Sequence, residues 1–241
     1  MKKKSASITF VVLIGLATLI YNGYIDKTSG VSPDSNVKYA ESILNISPYD
    51  GVNKYVVINN NEPYFLEEDF VLRTYEFYSD LDSLGRAGVA MSLIGLDLMP
   101  TEERGEIGSI KPSGWHTVKY DFISGKYLYN RCHLIGYQLT GENANEKNLI
   151  TCTRNANTGI MLDYENKVSK YIKETGNHVL YRVTPVYQGN NLLVSGIQME
   201  AKSIEDNGSG IKFNIYIYNV QDGVKINYET GDSVLDEKRT S

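Results

Sequence analysis

Residues 129–136 read Tyr129-Asn130-Arg131-Cys132-His133-Leu134-Ile135-Gly136. The stretch reads as the end of a β-strand that closes on a histidine with apolar neighbours. A neutral imidazole in such a place can take a proton from water near neutral pH, provided its other nitrogen is held by a hydrogen bond. A structural histidine satisfied by the backbone is the alternative that the residue by itself leaves open. Arg131 stands two positions earlier, so it faces the same side of the strand as His133. Its planar fork of donors suits a phosphate. His116 and His178, the other two of the chain's 3 histidines, share no motif with His133 and read as structural or exposed.

Upstream, Val118–Phe122 and the strand from Tyr127 to Ile135 flank Ser124-Gly125-Lys126, which reads as a hairpin turning at Gly125. Lys54–Asn59 is a further β-rich run, ended by three asparagines. His178–Tyr187, Asn191–Lys202 and Lys212–Val220 are expected strands, the last with Phe213, Ile215 and Ile217 alternating against Asn214, Tyr216 and Tyr218. One helix is expected near Asn157–Glu174. At about 100° per residue, Tyr164, Val168 and Tyr171 fall within about 80° of Ile160, and the lysines fall opposite, so the helix lies on a sheet. Asn157 falls inside the apolar stripe and must find a partner there, as a cap, a buried structural residue or a ligand. Glu165 falls on the edge of the stripe, with an exposed surface carboxylate as the alternative.

The chain has 241 residues, 41% hydrophobic and 22% charged, with 6 prolines, which excludes a wholly disordered polypeptide. With 2 cysteines it has no four-cysteine metal site and no disulfide-dense scaffold. Tyrosine is heavily used, 19 against 6 Phe and 1 Trp, which suits β-sheet and wet surfaces. The net charge is −5. Residues 84–173 are the net-positive part, weak support for a polyanion site. Lys2, Lys3 and Lys4 precede an apolar run from Ala6 to Tyr21, so residues 1–26 read as a signal peptide or a retained membrane anchor that places the rest outside the cytoplasm. Residues 27–49 read as a polar linker, 50–228 as the globular domain, and 229–241 as a disordered tail.

The stretch Asn130-Arg131-Cys132-His133 resembles the Asp-Arg-Gly-His signature of the DNA/RNA non-specific endonucleases, with Arg131 and His133 matching and Asn130 and Cys132 departing. The likeness continues through Gly136-Tyr137-Gln138-Leu139-Thr140-Gly141-Glu142-Asn143-Ala144-Asn145-Glu146-Lys147-Asn148-Leu149-Ile150, then Thr153-Arg154, Asn157 and Glu165. It covers roughly Tyr55 to Asn219 and is similar to the streptodornase-type secreted DNases and DNA-entry nucleases of Gram-positive bacteria. The resemblance implies an α+β fold: a central antiparallel β-sheet carrying a ββα-metal nuclease motif. It implies His133 as general base, Asn157 as the single protein ligand of Mg²⁺ (with Mn²⁺ as substitute), and Asn148 in positioning. Glu165 would hold a metal-bound water or an arginine. An upstream arginine, Arg104 in preference to Arg86, and Arg131 would act on charge in the transition state.

Lys111, Trp115, Lys119 and Arg154 are the expected nucleic-acid contacts, with Trp115 packed in the core as the alternative. The implied activity is metal-dependent, largely sequence-non-specific cleavage of DNA, and of RNA as a further substrate, leaving a 5′-phosphate. No protein partner is implied, and the membrane is a partner only where the N-terminal segment is retained. The rival is an inactive extracellular nucleic-acid-binding module on the same fold, which the changes at Asn130 and Cys132 favour. An extracellular address permits a Cys132–Cys152 disulfide; two free buried thiols are the favoured expectation.

Overall fold

The computed structural model describes residues 46–71 and 73–237. The apolar run 6–21 therefore lies outside the described residues, as does most of the expected linker. Among the described residues no helix is long and apolar enough to cross a membrane. Tyr64–Asp69 group apart from the main unit, which comprises residues 47–63 and 70 onward. Within that short segment the Asp69 carboxylate accepts from Leu66 N at 2.8 Å, closing a 3₁₀ turn over Glu67–Asp69.

The main unit is built on a six-stranded antiparallel sheet. In chain order the strands are β1 (Tyr55–Val57), β2 (Tyr75–Tyr78), β3 (Ala90–Ile94), β4 (Tyr129–His133), β5 (Leu149–Thr153), β6 (Val179–Val186), β7 (Gly196–Ser203), β8 (Lys212–Tyr218), β9 (Val224–Ile226) and β10 (Ser233–Leu235). The large sheet runs β1-β8-β7-β6-β3-β2, and β4-β5 and β9-β10 are separate two-stranded ribbons. The helices are α1 (Tyr137–Thr140) and α2 (Leu162–Thr175). The architecture is α+β, as expected.

The alternation read in 212–220 is real. Phe213, Ile215 and Ile217 lie opposite Ala201, Met199 and Ile197 and join one core with Val168 and Ile172 of α2. Each fully buried branched side chain of this kind contributes about 1.5–3 kcal/mol. The opposite face is buried as well, which the alternation did not indicate. There Asn214 accepts from Gln198 Nε2 at 2.9 Å and donates to Glu62 O at 2.8 Å. Buried amides on a sheet face stay only because they are bonded to one another and to backbone. Strand β3 was missed: Ala90–Ile94 is short and buried throughout, so it carries no alternation to find.

Three expectations are corrected. The hairpin about Gly125 shrinks to one bridge, Lys119↔Tyr127, and β4 pairs instead with β5, His133 opposite Leu149 and Tyr129 opposite Thr153. Gly125 and Lys126 are both left-handed (φ 75° and 67°), and the tight turn they make leaves Ile123 and Leu128 to anchor in a second core cluster. Second, Ser233–Leu235, inside the stretch expected to be disordered, pairs with β9; backbone bonds hold it, with Val234 and Leu235 exposed. Third, Cys132 and Cys152 are disulfide-bonded. The register sets Cys132 opposite Ile150 and Cys152 opposite Asn130, so the cysteines are diagonal neighbours on one face of the ribbon, Cα atoms 5.9 Å apart. Pairing that is invisible in one strand's pattern brings the thiols together.

Candidate active site

The ribbon β4-β5 and the helix that follows it make a ββα unit. Its end is tied to the large sheet by Asn219, whose Oδ1 accepts from Thr153 N at 2.8 Å and whose Nδ2 donates to Val194 O at 3.0 Å. His133 closes β4 and is 6% exposed. One ring nitrogen, Nε2, lies 2.7 Å from Asn143 O. A carbonyl only accepts, so Nε2 carries the proton and Nδ1 keeps the lone pair of the neutral ring. Nδ1 lies 3.2 Å from Arg104 Nη2, which donates to it. Burial pushes the imidazole pKa below its ordinary value, and the Arg104 charge pushes the same way against the Asn143 carbonyl. The ring is therefore neutral at pH 7 and presents one basic nitrogen.

Asn148 is fully buried and serves the same strand. Its Oδ1 accepts from Ile135 N at 2.9 Å and its Nδ2 donates to Ile135 O at 3.0 Å. Both ends of the amide are spent on one residue, two positions past His133, so Asn148 clamps the chain where it leaves β4.

The chain enters the helix through a π-helical turn, Ala156–Met161, in which Leu162 N bonds to Asn157 O. Such i→i+5 turns interrupt α-helices mostly at functional sites. The wheel angle expected for Asn157 presumed an α-helix from the start and does not apply in this wider turn. Asn157 is half-buried rather than inside the stripe. From Leu162 onward the wheel holds, with Val168 and Ile172 fully buried.

Glu165 is buried, not the exposed carboxylate of the alternative reading. Burial raises its pKa to about 8, against the lowering effects of Gln138, Arg104 and the Gly136 backbone. The carboxylate packs so close to Gly136 that a Cβ there would fall 2.5–2.8 Å from its three atoms. Arg104 thus acts on both His133 and Glu165 from one exposed loop position. Arg86 is used elsewhere: Asp82, Gly189 O and Asn191 O take its donors.

Arg131 departs from its expected part. Its Nε donates to Ile110 O, its Nη2 donates to Gly108 O at 2.8 Å, and its guanidinium lies 4.0 Å over the Trp115 ring. Arg131 holds the 108–115 loop through these two backbone carbonyls, which leave Nη1 without a bond to them. Trp115 is half-buried beneath it, on the second core cluster. Lys111 is exposed, and Lys119 Nζ sits 4.6 Å over the Tyr127 ring. Arg154, at the end of β5, reaches Asn130 Oδ1 through Nη1 at 3.5 Å. His116 and His178 bond to Thr230 O and to Glu205.

Asn143, Gly136 and Gln138 are the residues that sequence reading did not assign. Asn143 acts through its carbonyl, which no side-chain pattern reveals.

Among the described residues there is no group of three or more His, Cys, Asp or Glu side chains able to hold a metal ion. Half-buried Asn157 offers a neutral amide oxygen, a donor type that suits a hard cation keeping most of its waters.

A family model described as DNA/RNA non-specific endonuclease matches residues 68–205. A curated relative, a deoxyribonuclease from Streptococcus dysgalactiae subsp. equisimilis, is 34% identical over 110 residues, 44% of this chain, and the match spans only 32% of that protein's length. NucA from Streptococcus agalactiae, solved with a magnesium ion bound, superposes with a TM-score of 0.69 at 25% identity, over 88% of this chain and 100% of that one. Sda1 nuclease, solved with a bound zinc ion, superposes with a TM-score of 0.57 at 28% identity, over 67% of this chain and 82% of that one.

Proposed function

The chain belongs to the DNA/RNA non-specific endonuclease family, and from that premise we propose that it is a Mg²⁺-dependent endonuclease that hydrolyses phosphodiester bonds of DNA, and of RNA, with His133 as general base. The observation that carries this reading is the state of His133. Its Nε2–H is committed to the Asn143 carbonyl, and its Nδ1 is the basic nitrogen, which accepts from Arg104, with burial and the Arg104 charge favouring the neutral ring.

In the proposed reaction Nδ1 takes a proton from the attacking water. The new P–O bond forms as the bond to the 3′ oxygen breaks, leaving a 5′-phosphate by family resemblance. Arg104 passes its donors from Nδ1 to a phosphoryl oxygen when substrate arrives, which frees the base and neutralises charge where it develops. Asn148 holds the backbone beyond His133, and Glu165 packs against Gly136 within the electrostatic reach of Arg104. Asn157 is the residue that would hold Mg²⁺, or Mn²⁺ in its place, and the ion would supply charge neutralisation at the phosphoryl and leaving oxygens. Arg131 serves the site through the loop it anchors rather than through phosphate. Lys111, Trp115, Lys119 and Arg154 border the substrate path.

The two departures from the signature do not favour an inactive module. Cys132 lies in ordinary extended backbone, absent from the positive-φ positions, and its sulfur is taken by Cys152. A bond of that kind persists outside the cytoplasm, which supports an extracellular address, consistent with the N-terminal segment 1–26 acting as signal or anchor, a polar linker over 27–49 and a nuclease domain that begins near 50 and runs past 228 to include β10. The experiment is cleavage of plasmid and single-stranded DNA by the purified protein with Mg²⁺ and with EDTA, beside His133→Ala. Cutting that requires metal and is lost in the variant is expected. Undiminished cutting by His133→Ala sinks the assignment of the base, and no cutting by the wild type with either Mg²⁺ or Mn²⁺ sinks the enzyme.

A further inference from the structure

The turn between Lys119 and Leu128 is built to present side chains outward. Ile123 and Leu128 are 4% and 0% exposed and root it in the second core cluster. Four backbone bonds brace it: Tyr120 N to Lys126 O, Lys126 N to Ile123 O, Ile123 N to Tyr120 O, and Leu128 N to Val118 O. On this braced turn Phe122 and Tyr127 stand 53% and 45% exposed. One exposed aromatic ring is ordinary. Two on one short turn beside Lys119 are a different surface, although the turn's other cation, Lys126, is paired with Asp121 at 2.9 Å. Lys119 Nζ lies 4.6 Å from the centre of the Tyr127 ring and covers it from one side.

Arg154 supplies the second observation. Its guanidinium lies against Gly125, where any Cβ would come within 3.5–3.7 Å of it. Its Nε is buried without an acceptor, and the Nδ2 of neighbouring Asn130 is buried without one too. The contact between the two side chains is long, 3.5 Å, and Asn130 brings no charge. A carboxylate at 130 would neutralise Arg154; an amide leaves its positive charge available at the foot of the turn. Arg154 also stands three residues before Asn157 in the chain.

We infer that the Lys119–Leu128 turn with Arg154 is a binding subsite for single-stranded nucleic acid, in which unpaired bases stack on Tyr127 and Phe122 and a backbone phosphate pairs with Arg154 and Lys119. The inference rests on the nuclease reading for its substrate and extends it to a substrate class. Bases inside a duplex have both faces covered by their neighbours and cannot use these rings. Unpaired bases can, and stacking is indifferent to sequence because every base has a π-face. The subsite thus favours single strands, or the opened stretches of a duplex, without reading sequence.

The test is binding of a fluorescent single-stranded oligonucleotide, and of the same sequence as a duplex, to the full chain in EDTA. Tyr127→Ala is expected to weaken single-strand affinity about tenfold, the order of one lost stacking contact, with duplex affinity unchanged and with Tyr127→Phe behaving as wild type. An equal loss on both substrates, or no loss on the single strand, overturns the inference. Phe122→Ala on the same measurement decides the matter should Tyr127→Ala fail to fold, which circular dichroism will show. Because binding is read without metal, a wild type that cuts nothing but binds single strands through Tyr127 defeats the nuclease reading and leaves this one standing.

Discussion

Two buried charged groups divide the molecule. In the large sheet, Glu200 is completely buried and accepts from Arg182 Nε at 2.8 Å across the β6-β7 pair. In the ββα unit, Glu165 is buried to a similar degree, 7% exposed, but no guanidinium fork closes on it, and its pKa rises to about 8. Nearby, the Tyr181 hydroxyl is buried with no hydrogen-bond partner, and burial and Glu165 both raise its pKa. A charge answered by a partner fixes a fold. A carboxyl without such a partner is held in its protonated form by burial, at a cost in stability once pH forces the charge.

That contrast can be broken most directly at its two ends. Arg182→Met removes the guanidinium that donates to the fully buried Glu200 carboxylate, so it should cost about 3–5 kcal/mol of stability. Denaturant titration reads the loss, and turnover per folded molecule should hold. His133→Ala should do the reverse, lowering cleavage by about 100- to 10,000-fold with little change in unfolding. If either variant moved both quantities together, the division between scaffold and site would fail.

Glu165 sharpens the comparison through pH. Its folded pKa is raised, so its favourable, protonated form dominates below its ordinary value of 4.5, and folding is penalised as pH rises from there through about 8. Glu165→Gln removes the ionisation. In EDTA the variant should therefore gain on the wild type between pH 5 and 9, by an amount on the order of a few kcal/mol, while its cleavage rate falls. Thermal unfolding across that range measures it, and parallel curves for the two proteins would contradict the burial account.

The smallest effect concerns His133. Its folded pKa is lowered, so its contribution to stability is present above the ordinary value of 6.5 and is lost as pH falls through the folded value. Burial is the larger cause and Arg104 a lesser one. Arg104→Ala should accordingly move the acid limb of the pH–rate profile to higher pH, alongside its loss of rate. A limb that stays in place would remove Arg104 from the base.

The candidate residues could be named because they come in a short run. His133, Asn148, Asn157 and Glu165 follow one another through a ribbon and a helix, and the helical period from Ile160 to Ile172 shows which face turns inward. What could not be read depends on loops that arrive from elsewhere. Arg131 carries the same donors whether it meets a phosphate or the carbonyls of Gly108 and Ile110. The Asn143 carbonyl that sets the tautomer of His133 belongs to backbone, which every residue has. The π turn that displaces Asn157 leaves no periodicity of its own. Strand β3 gives no alternation because both its faces are covered.

The sequence by itself determined the α+β class, the strands β6 and β8, the α2 helix and the candidate base, because local period and a motif on contiguous residues are properties of the chain. Tertiary structure alone decided the partner of β4, the Cys132–Cys152 bond and the backbone carbonyls that Arg131 meets. Each of these depends on which distant group arrives first at a donor, an acceptor or a sulfur, and proximity across the fold is not encoded in any one segment.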